Sequence, residues 1–169
     1  MSRFVVNVAD LLHRRGARRH ERLTGALAGL RVLGSEVPSG REVVVDVELE
    51  SVSEGILAVG SVSAEWQAEC RRCLGPVTGV ARAELSDLFE LHHREGETYP
   101  LRHQRVDFEP IAREVMLLEL PLAPLCRADC AGLCPTCGAD LNQGGCQCAP
   151  AGRDPRWAAL DELRDHLNS

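Results

Sequence analysis

Between residues 42 and 90, apolar and polar residues alternate with a period of two through three successive runs. In EVVVDVELESV, Val43, Val45, Val47 and Leu49 fall on one side, and Glu42, Asp46, Glu48 and Glu50 largely on the other. ILAVGSVSAEWQAEC repeats the pattern, with Val62, Ala64, Trp66 and Ala68 opposed to Ser61, Ser63, Glu65, Gln67 and Glu69. Gly60 interrupts this run and is the expected place for a bulge. VTGVARAELSDLFEL sets Val77, Ala81, Ala83, Leu85 and Phe89 on one face. Alternation of this kind marks half-buried antiparallel strands. Three in series predict a meander, with CRRCLGP at the tip between the second and third.

The flanks follow other rules. FVVNV (Phe4–Val8) reads as a short strand, and ADLLHRRGARRHERLTGAL as a weak helix interrupted by Gly16. The turn PSG at Pro38–Gly40 precedes the first long strand. After a polar loop, HHREGETYPLRHQ, the run VDFEPIAREVMLLELPLAPLC predicts a brief extended piece and then a helix. Pro110 suits its first turn, Ile111, Val115 and Leu118 share a face, and Pro121 ends it. A last helix is signalled by DPRWAALDELRDHL, with Asp154 at the N-cap, Pro155 at the first helical position, and Trp157, Leu160, Leu163 and Leu167 at helical spacing. The expected fold class is α+β: an antiparallel β-meander sheet with a central helix and a C-terminal cysteine-rich lobe. The expected division is a core over residues 1–121, carrying the arginine-rich N-terminal segment, and a lobe over 122–169 whose C-terminal helix packs on that core.

Composition adds the compartment. The chain has 169 residues, 44% of them hydrophobic, enough for a core that does not depend on disulfides. No secretory signal is visible at the N-terminus, and no apolar run approaches the length of a membrane helix. A cytoplasmic protein without a membrane anchor is the expectation, and there thiols stay reduced and clustered cysteines point to metal.

All eight cysteines stand in two tight clusters. CRRC holds Cys70 and Cys73, and CRADCAGLCPTCGADLNQGGCQC holds Cys126, Cys130, Cys134, Cys137, Cys146 and Cys148. CPTCG has the form of a zinc knuckle, in which Gly138 supplies the positive φ that lets backbone N–H groups face sulfur. Cys146 and Cys148 lie close enough downstream to complete a four-thiolate site. Their C-x-C spacing is awkward, because neighbouring side chains on a strand point apart, so a kink at Gly144–Gly145 has to correct it. The remaining four thiols, Cys70, Cys73, Cys126 and Cys130, would make a second closed site that pins the meander tip to the chain after the central helix. Two Zn²⁺ ions per chain are therefore expected, in a structural role, since closed sites leave no position for water. Spacing alone leaves the partition open, and CRRC could pair with CPTC instead. A thioredoxin-like role for CRRC would need a helix N-terminus after a βαβ-type strand, which the context lacks. Arg71, Arg72 and Arg127 flank ligands and are expected to soften the thiolate charge.

The net charge of −6 is unevenly spread. Residues 1–31 carry seven Arg against Asp10 and Glu21, a local charge of +5, while the rest of the chain carries −11. Arg14, Arg15, Arg18, Arg19 and Arg22 crowd into nine residues, and on a helix Arg15, Arg18, Arg19 and Arg22 would share one face. A solvated helix face is the plain reading, and RNA phosphate contact is the functional one. No catalytic constellation emerges. His92 and His93 sit in a polar loop, His103 and His166 lack a nucleophile at useful spacing, and a single Tyr with few Phe gives no stacking platform for RNA bases. No small-molecule substrate is expected. Glu114 and Glu119 read as the solvent face of the central helix, and Asn142 as a shaper of the knuckle loop.

Taken together, CRRCLGP, VDFEPIAREVMLLELPLAPLCRADCAGLCPTCGADLN…CQC and DPRWAALDEL resemble the YceD family, domain of unknown function 177. The strong resemblance covers residues 66–167, and the first sixty residues match only in general layout. It implies a bacterial or plastid cytoplasmic factor supporting accumulation of large-subunit ribosomal RNA, without a family catalytic residue to carry over. The family's cysteine motifs fall on Cys70, Cys73, Cys126, Cys130, Cys134, Cys137, Cys146 and Cys148. Some relatives lack parts of the C-terminal set, which favours a stabilising role for it. One open reading is a ribosome-assembly factor that binds pre-ribosomal RNA or a protein through the arginine-rich segment. The alternative is a basic large-subunit ribosomal protein or an RNA-processing enzyme, met through the Glu42–Asp46–Glu48–Glu50 strand face.

Overall fold

The computed structural model describes residues 3–148 and 160. The expected C-terminal helix around Asp154, Pro155, Trp157, Leu163 and Leu167 lies outside the described residues. In chain order the elements are β1 (Val5–Asn7), α1 (Ala9–Leu12), β2 (Arg18–Gly25), β3 (Ser35–Glu36), β4 (Val43–Ser51), β5 (Gly55–Glu69), β6 (Pro76–Glu90), β7 (Tyr99–Pro100), β8 (Arg105–Asp107) and α2 (Glu109–Glu119). The fold is mixed α and β, with a mostly antiparallel sheet and few helices. The main sheet runs β2-β4-β5-β6-β7, with β3 paired to the far end of β5. Among the described residues only the short β6–β7 pairing is parallel. β1 and β8 form a separate antiparallel ribbon.

The three alternating runs become β4, β5 and β6, and their register explains the core. Val45 stands opposite Val62, which stands opposite Ala83, and Ile56 stands opposite Phe89. Because side chains on a strand alternate, this register collects Val43, Val45, Val47, Leu49, Ile56, Ala58, Val62, Ala83, Leu85 and Phe89 on one buried face. α2 covers it with Ile111, Ala112 and Met116. Leu118, expected on the buried side, is 81% exposed. The helix turns Met116 inward instead, and the apolar spacing of MLL admits either register. Glu114 and Glu119 face solvent.

Two expectations are corrected. Gly60 is not a bulge: pairing continues unbroken through Val47, Gly60 and Leu85. A Cβ there would lie 2.1 Å from the carbonyl oxygen of Asp46, so glycine permits close backbone approach within a regular ladder. The weak helix over residues 9–27 is a single turn, α1, followed by strand β2. Gly16 at φ +76° reverses the chain, and its N–H donates to Ser51 O (2.8 Å). From Arg18 onward the chain then follows β4 in antiparallel register, which offers ladder hydrogen bonds that the isolated helix lacked.

The turn before β8 carries local strain. Its two central residues, His103 and Gln104, have φ of +50° and +59°, the backbone of a type I′ turn built without glycine or asparagine. Gln104→Gly is expected to stabilise the fold by roughly 1 kcal/mol. Equilibrium urea unfolding with an unchanged m-value checks this. A loss of stability would show that the turn is not held in that conformation. Among the described residues no helix is long and apolar enough to cross a membrane.

Candidate metal centres

The β5–β6 tip folds CRRC into a tight turn. Leu74 N–H donates to Cys70 O (2.9 Å), and Cys70 N–H donates to Gly75 O (2.7 Å). CPTCG closes in the same way, with Gly138 N–H donating to Cys134 O (2.9 Å). The residue after the second cysteine is left-handed in both turns, Leu74 at φ +59° and Gly138 at φ +73°. Glycine was expected there and leucine was not. The leucine version stores strain at the tip.

The structure brings the eight thiols together in two groups of four. Cys70, Cys73, Cys126 and Cys130 form one and Cys134, Cys137, Cys146 and Cys148 the other, with all sulfurs of a group within 4.8 Å of one another. Pairing of CRRC with CPTC, the open alternative, is not what the chain does. Each group could hold a metal ion. A tetrahedral ion with bonds of ~2.3 Å to thiolate requires sulfurs ~3.8 Å apart. Cys70 Sγ and Cys130 Sγ are 3.8 Å apart, and Cys73 Sγ and Cys126 Sγ 3.6 Å. The C-x-C half of the second group lies in irregular chain after Gly144 (φ +145°), where strand alternation does not apply.

Electrostatics favour thiolate at one cysteine of each group. Backbone N–H groups of Cys73, Cys126 and Arg72 around Cys70 bring its thiol down to about 6. Those of Cys137 and Thr136 do the same for Cys134, also to about 6, and Thr136 N lies 3.4 Å from its sulfur. The neighbouring Cys130 pushes Cys126 up to about 12, and Cys137 pushes Cys148 up to about 11. Four sulfurs this close cannot all ionise without a cation among them.

The two groups are knitted together by residues whose part was only partly foreseen. Arg72 donates to Cys130 O (2.9 Å) and Ala128 O (3.3 Å), so its guanidinium ties the tip to the 126–130 segment. Leu133 N–H donates to Arg72 O (3.1 Å), beneath Gly132, whose missing Cβ would lie 3.0 Å from that oxygen. Asn142 does more than shape a loop. Its Oδ1 accepts from Ala131 N–H (2.8 Å) and Arg127 (2.7 Å), while its Nδ2 donates to Asp140 (2.6 Å) and lies 3.5 Å from Cys130 Sγ. One amide thus ties the loop after CPTCG to the 127–131 segment beside Cys130. Its place within DLN signalled a turn, and nothing in the spacing signalled the bridge.

The arginine-rich segment is arranged otherwise than expected. On β2, Arg18, His20 and Arg22 point one way, opposite Glu50, Glu48 and Asp46 of β4. Arg18 pairs with Glu50 (2.9 Å) and Glu48 (3.4 Å), and Asp46 is shared by His20 and Arg22. Hydrogen bonding from His20 and the charge of Arg22 hold the Asp46 carboxyl below its usual range. Arg19 points the other way, bridging Asp10 (2.7 Å) and Asn7 O (2.7 Å). Its Nε lies 2.7 Å from Glu21 without hydrogen-bond geometry, a charge contact only. The shared helical face of Arg15, Arg18, Arg19 and Arg22 does not exist. The basic stripe and the acidic strand face, read as separate surfaces, neutralise each other across one strand pair. Arg14 and Arg15 lie exposed in the turn before β2, and His92 and His93 are exposed in their loop.

A mostly antiparallel sheet whose hairpin tip joins a paired four-thiol lobe defines the class. The chain belongs to the YceD family, described as large ribosomal RNA subunit accumulation protein YceD, which it matches over residues 58–164. It is 36% identical to an uncharacterised protein of Mycobacterium tuberculosis over 96% of this chain and 82% of that protein. It is 29% identical to the large ribosomal RNA subunit accumulation protein YCED homolog 1, chloroplastic, of Arabidopsis thaliana, over 82% of this chain and 54% of that protein. It is also 28% identical to the uncharacterised protein YlbN of Bacillus subtilis, over 61% of this chain and 63% of that protein. No solved structure matches the chain.

Proposed function

We propose that this protein is a non-enzymatic factor that supports accumulation of large-subunit ribosomal RNA in the cytoplasm, and that its two four-thiol groups hold structural zinc. Family membership carries the ribosomal reading. Thiolate-only ligation at tetrahedral spacing supports zinc, which binds such sets without redox chemistry of its own. Zinc at Cys70, Cys73, Cys126 and Cys130 fastens the β5–β6 tip to the segment after α2. Zinc at Cys134, Cys137, Cys146 and Cys148 organises the lobe beyond it. With four sulfurs on each ion no coordination position is left for a substrate, so the metal shapes a surface.

The direct test is deletion and complementation. Loss of the protein is expected to lower mature large-subunit ribosomal RNA relative to the small-subunit RNA, and the wild-type chain to restore it. An unchanged ratio in the deletion strain would overturn the reading.

A second reading, an adaptor for a ribosomal protein or an RNA-processing enzyme, draws on one observation. A groove of about 940 Å³ beside the tip is lined by Leu33, Leu74, Val77 and Leu122. Co-purification of a ribosomal protein that survives RNase would favour it.

A further inference from the structure

The turn Arg102–His103–Gln104–Arg105 has two unusual properties at once. Arg102 and Arg105 stand opposite each other in an antiparallel bridge, with each N–H donating to the other's carbonyl oxygen (3.1 and 2.9 Å). Like charges placed directly across such a pair repel. The two residues between them are both left-handed without being glycine or asparagine. All four are exposed. Among the described residues no carboxylate lies within ion-pair distance of Arg102 or Arg105, in a chain that carries a net charge of −6. Strain and unpaired like charge at one spot mark a place held for something other than stability.

The fold sets a second basic group beside it. Val8 N–H donates to Gln104 O (2.9 Å), Leu12 N–H to Val8 O (3.1 Å) and Arg14 N–H to Leu11 O (2.9 Å). One turn of helix, about 6 Å long, therefore separates the strained turn from His13, Arg14 and Arg15. Arg14 and Arg15 also make no ion pair among the described residues, whereas Arg18, Arg19 and Arg22 are all committed to carboxylates. Three nearby acids bear on this ground: Asp10 is held by Arg19, Asp107 accepts the Glu109 N–H (3.0 Å), and Glu54, bonded to Ser53, lies within reach of the Arg15 charge without pairing with it.

We propose that Arg102 and Arg105, together with Arg14 and Arg15, form the surface that grips RNA phosphates, and that the β2 arginines take no part. The proposal rests on the ribosomal RNA reading above and names its contact site. Guanidinium forks match phosphate oxygens two by two. The exposed His103 and Gln104 side chains between them supply donors and acceptors for sugar and base edges. The acidic remainder of the surface repels a polyanion, so that it meets the protein here and in one orientation.

The test uses the full-length, zinc-loaded protein and a labelled fragment of large-subunit ribosomal RNA, titrated over a series of KCl concentrations. Arg102→Gln with Arg105→Gln is expected to weaken binding at low salt by tenfold or more, and to flatten the salt slope by about 1.4–1.8. Arg18→Gln with Arg22→Gln is expected to keep affinity within about twofold, because those charges are already neutralised. Equal affinity and slope in the Arg102/Arg105 variant, or an equal loss in the Arg18/Arg22 variant, would overturn the proposal. Wild-type binding to phosphatidylglycerol vesicles and not to RNA would overturn it too. Full restoration of large-subunit RNA in deletion cells by the Arg102/Arg105 variant would remove this contact site and leave the ribosomal role standing. Failure of the wild-type chain to restore it would remove that role, and the proposal with it.

Discussion

Cys70→Ser is expected to halve the zinc content, from two ions per chain to one, and to free the tip of the longest hairpin. Cys70 is buried at the end of β5, and backbone N–H groups aimed at its sulfur favour the thiolate. Serine keeps the size but is a poor zinc ligand, and the three remaining thiolates repel one another around a weakened site. Structural zinc contributes on the order of 10 kcal/mol of apparent binding energy to small domains. Losing one ligand of four should cost roughly 3 kcal/mol and lower the Tm by about 10 °C. Amide exchange gives the sharper readout. Protection should fall at Arg71, whose N–H donates to Pro124 O (2.9 Å), and at Cys130, while the β4–β5 ladder keeps its protection. Native mass spectrometry still showing two zinc ions, with exchange at residues 124–130 unchanged, would mean that this thiol group does not join tip and lobe.

Phe89→Ala is expected to be the most damaging single truncation in the core, at about 3–5 kcal/mol. Phe89 is fully buried near the end of β6, opposite Ile56 on β5 and Tyr99 on β7. Its ring meets Phe108 edge-on at 5.2 Å and Tyr99 at 5.6 Å. Phe108 stands at the start of α2, and its N–H donates to Phe4 O (2.9 Å). One ring thus joins the main sheet, the helix that covers it and the β1–β8 ribbon. Urea unfolding should show the lower midpoint with zinc still at two ions per chain, which separates this loss from the cysteine variant. A cost below ~1 kcal/mol would show that the neighbours collapse into the space.

Where the sequence was legible, a single periodicity decided the outcome. Val45 to Leu49 and Ala81 to Leu85 alternate so strictly that the strand face follows from side-chain direction alone. The cysteine grouping was half legible. Spacing proposed the two sets, but only the sheet, by carrying Cys70 and Cys73 to Pro124, removes the competing partition. The arginine segment was misread for a physical reason. RRHERLTG has neither a clear apolar alternation nor a helical stripe, so its state is set by the free edge of β4 and by Glu50, Glu48 and Asp46 waiting there. Cross-strand charge pairs of this kind are tertiary facts. The strained turn at His103 and Gln104 was hidden for the opposite reason, because it uses residues that local preference argues against.

The first thiol group also imposes a timetable on the protein's own birth. Cys73 and Cys126 are 53 residues apart, whereas Cys134 to Cys148 fit inside a short local loop. Chains leave the ribosome N-terminal end first. CRRC therefore emerges as an unfinished half-site and waits while β6, the loop, β7, β8 and α2 are made. When CRADC appears, CPTCG follows within a few residues as a rival with the same C-x2-C geometry as the tip. With zinc bound as proposed, the correct partner wins only if the sheet and α2 have already set the tip beside Pro124, and folding then runs ahead of metal loading at that site. A chain whose synthesis stalls before Cys126 is left with two uncapped cysteines on an otherwise formed sheet, a chemical flag of incompleteness that a finished chain does not carry.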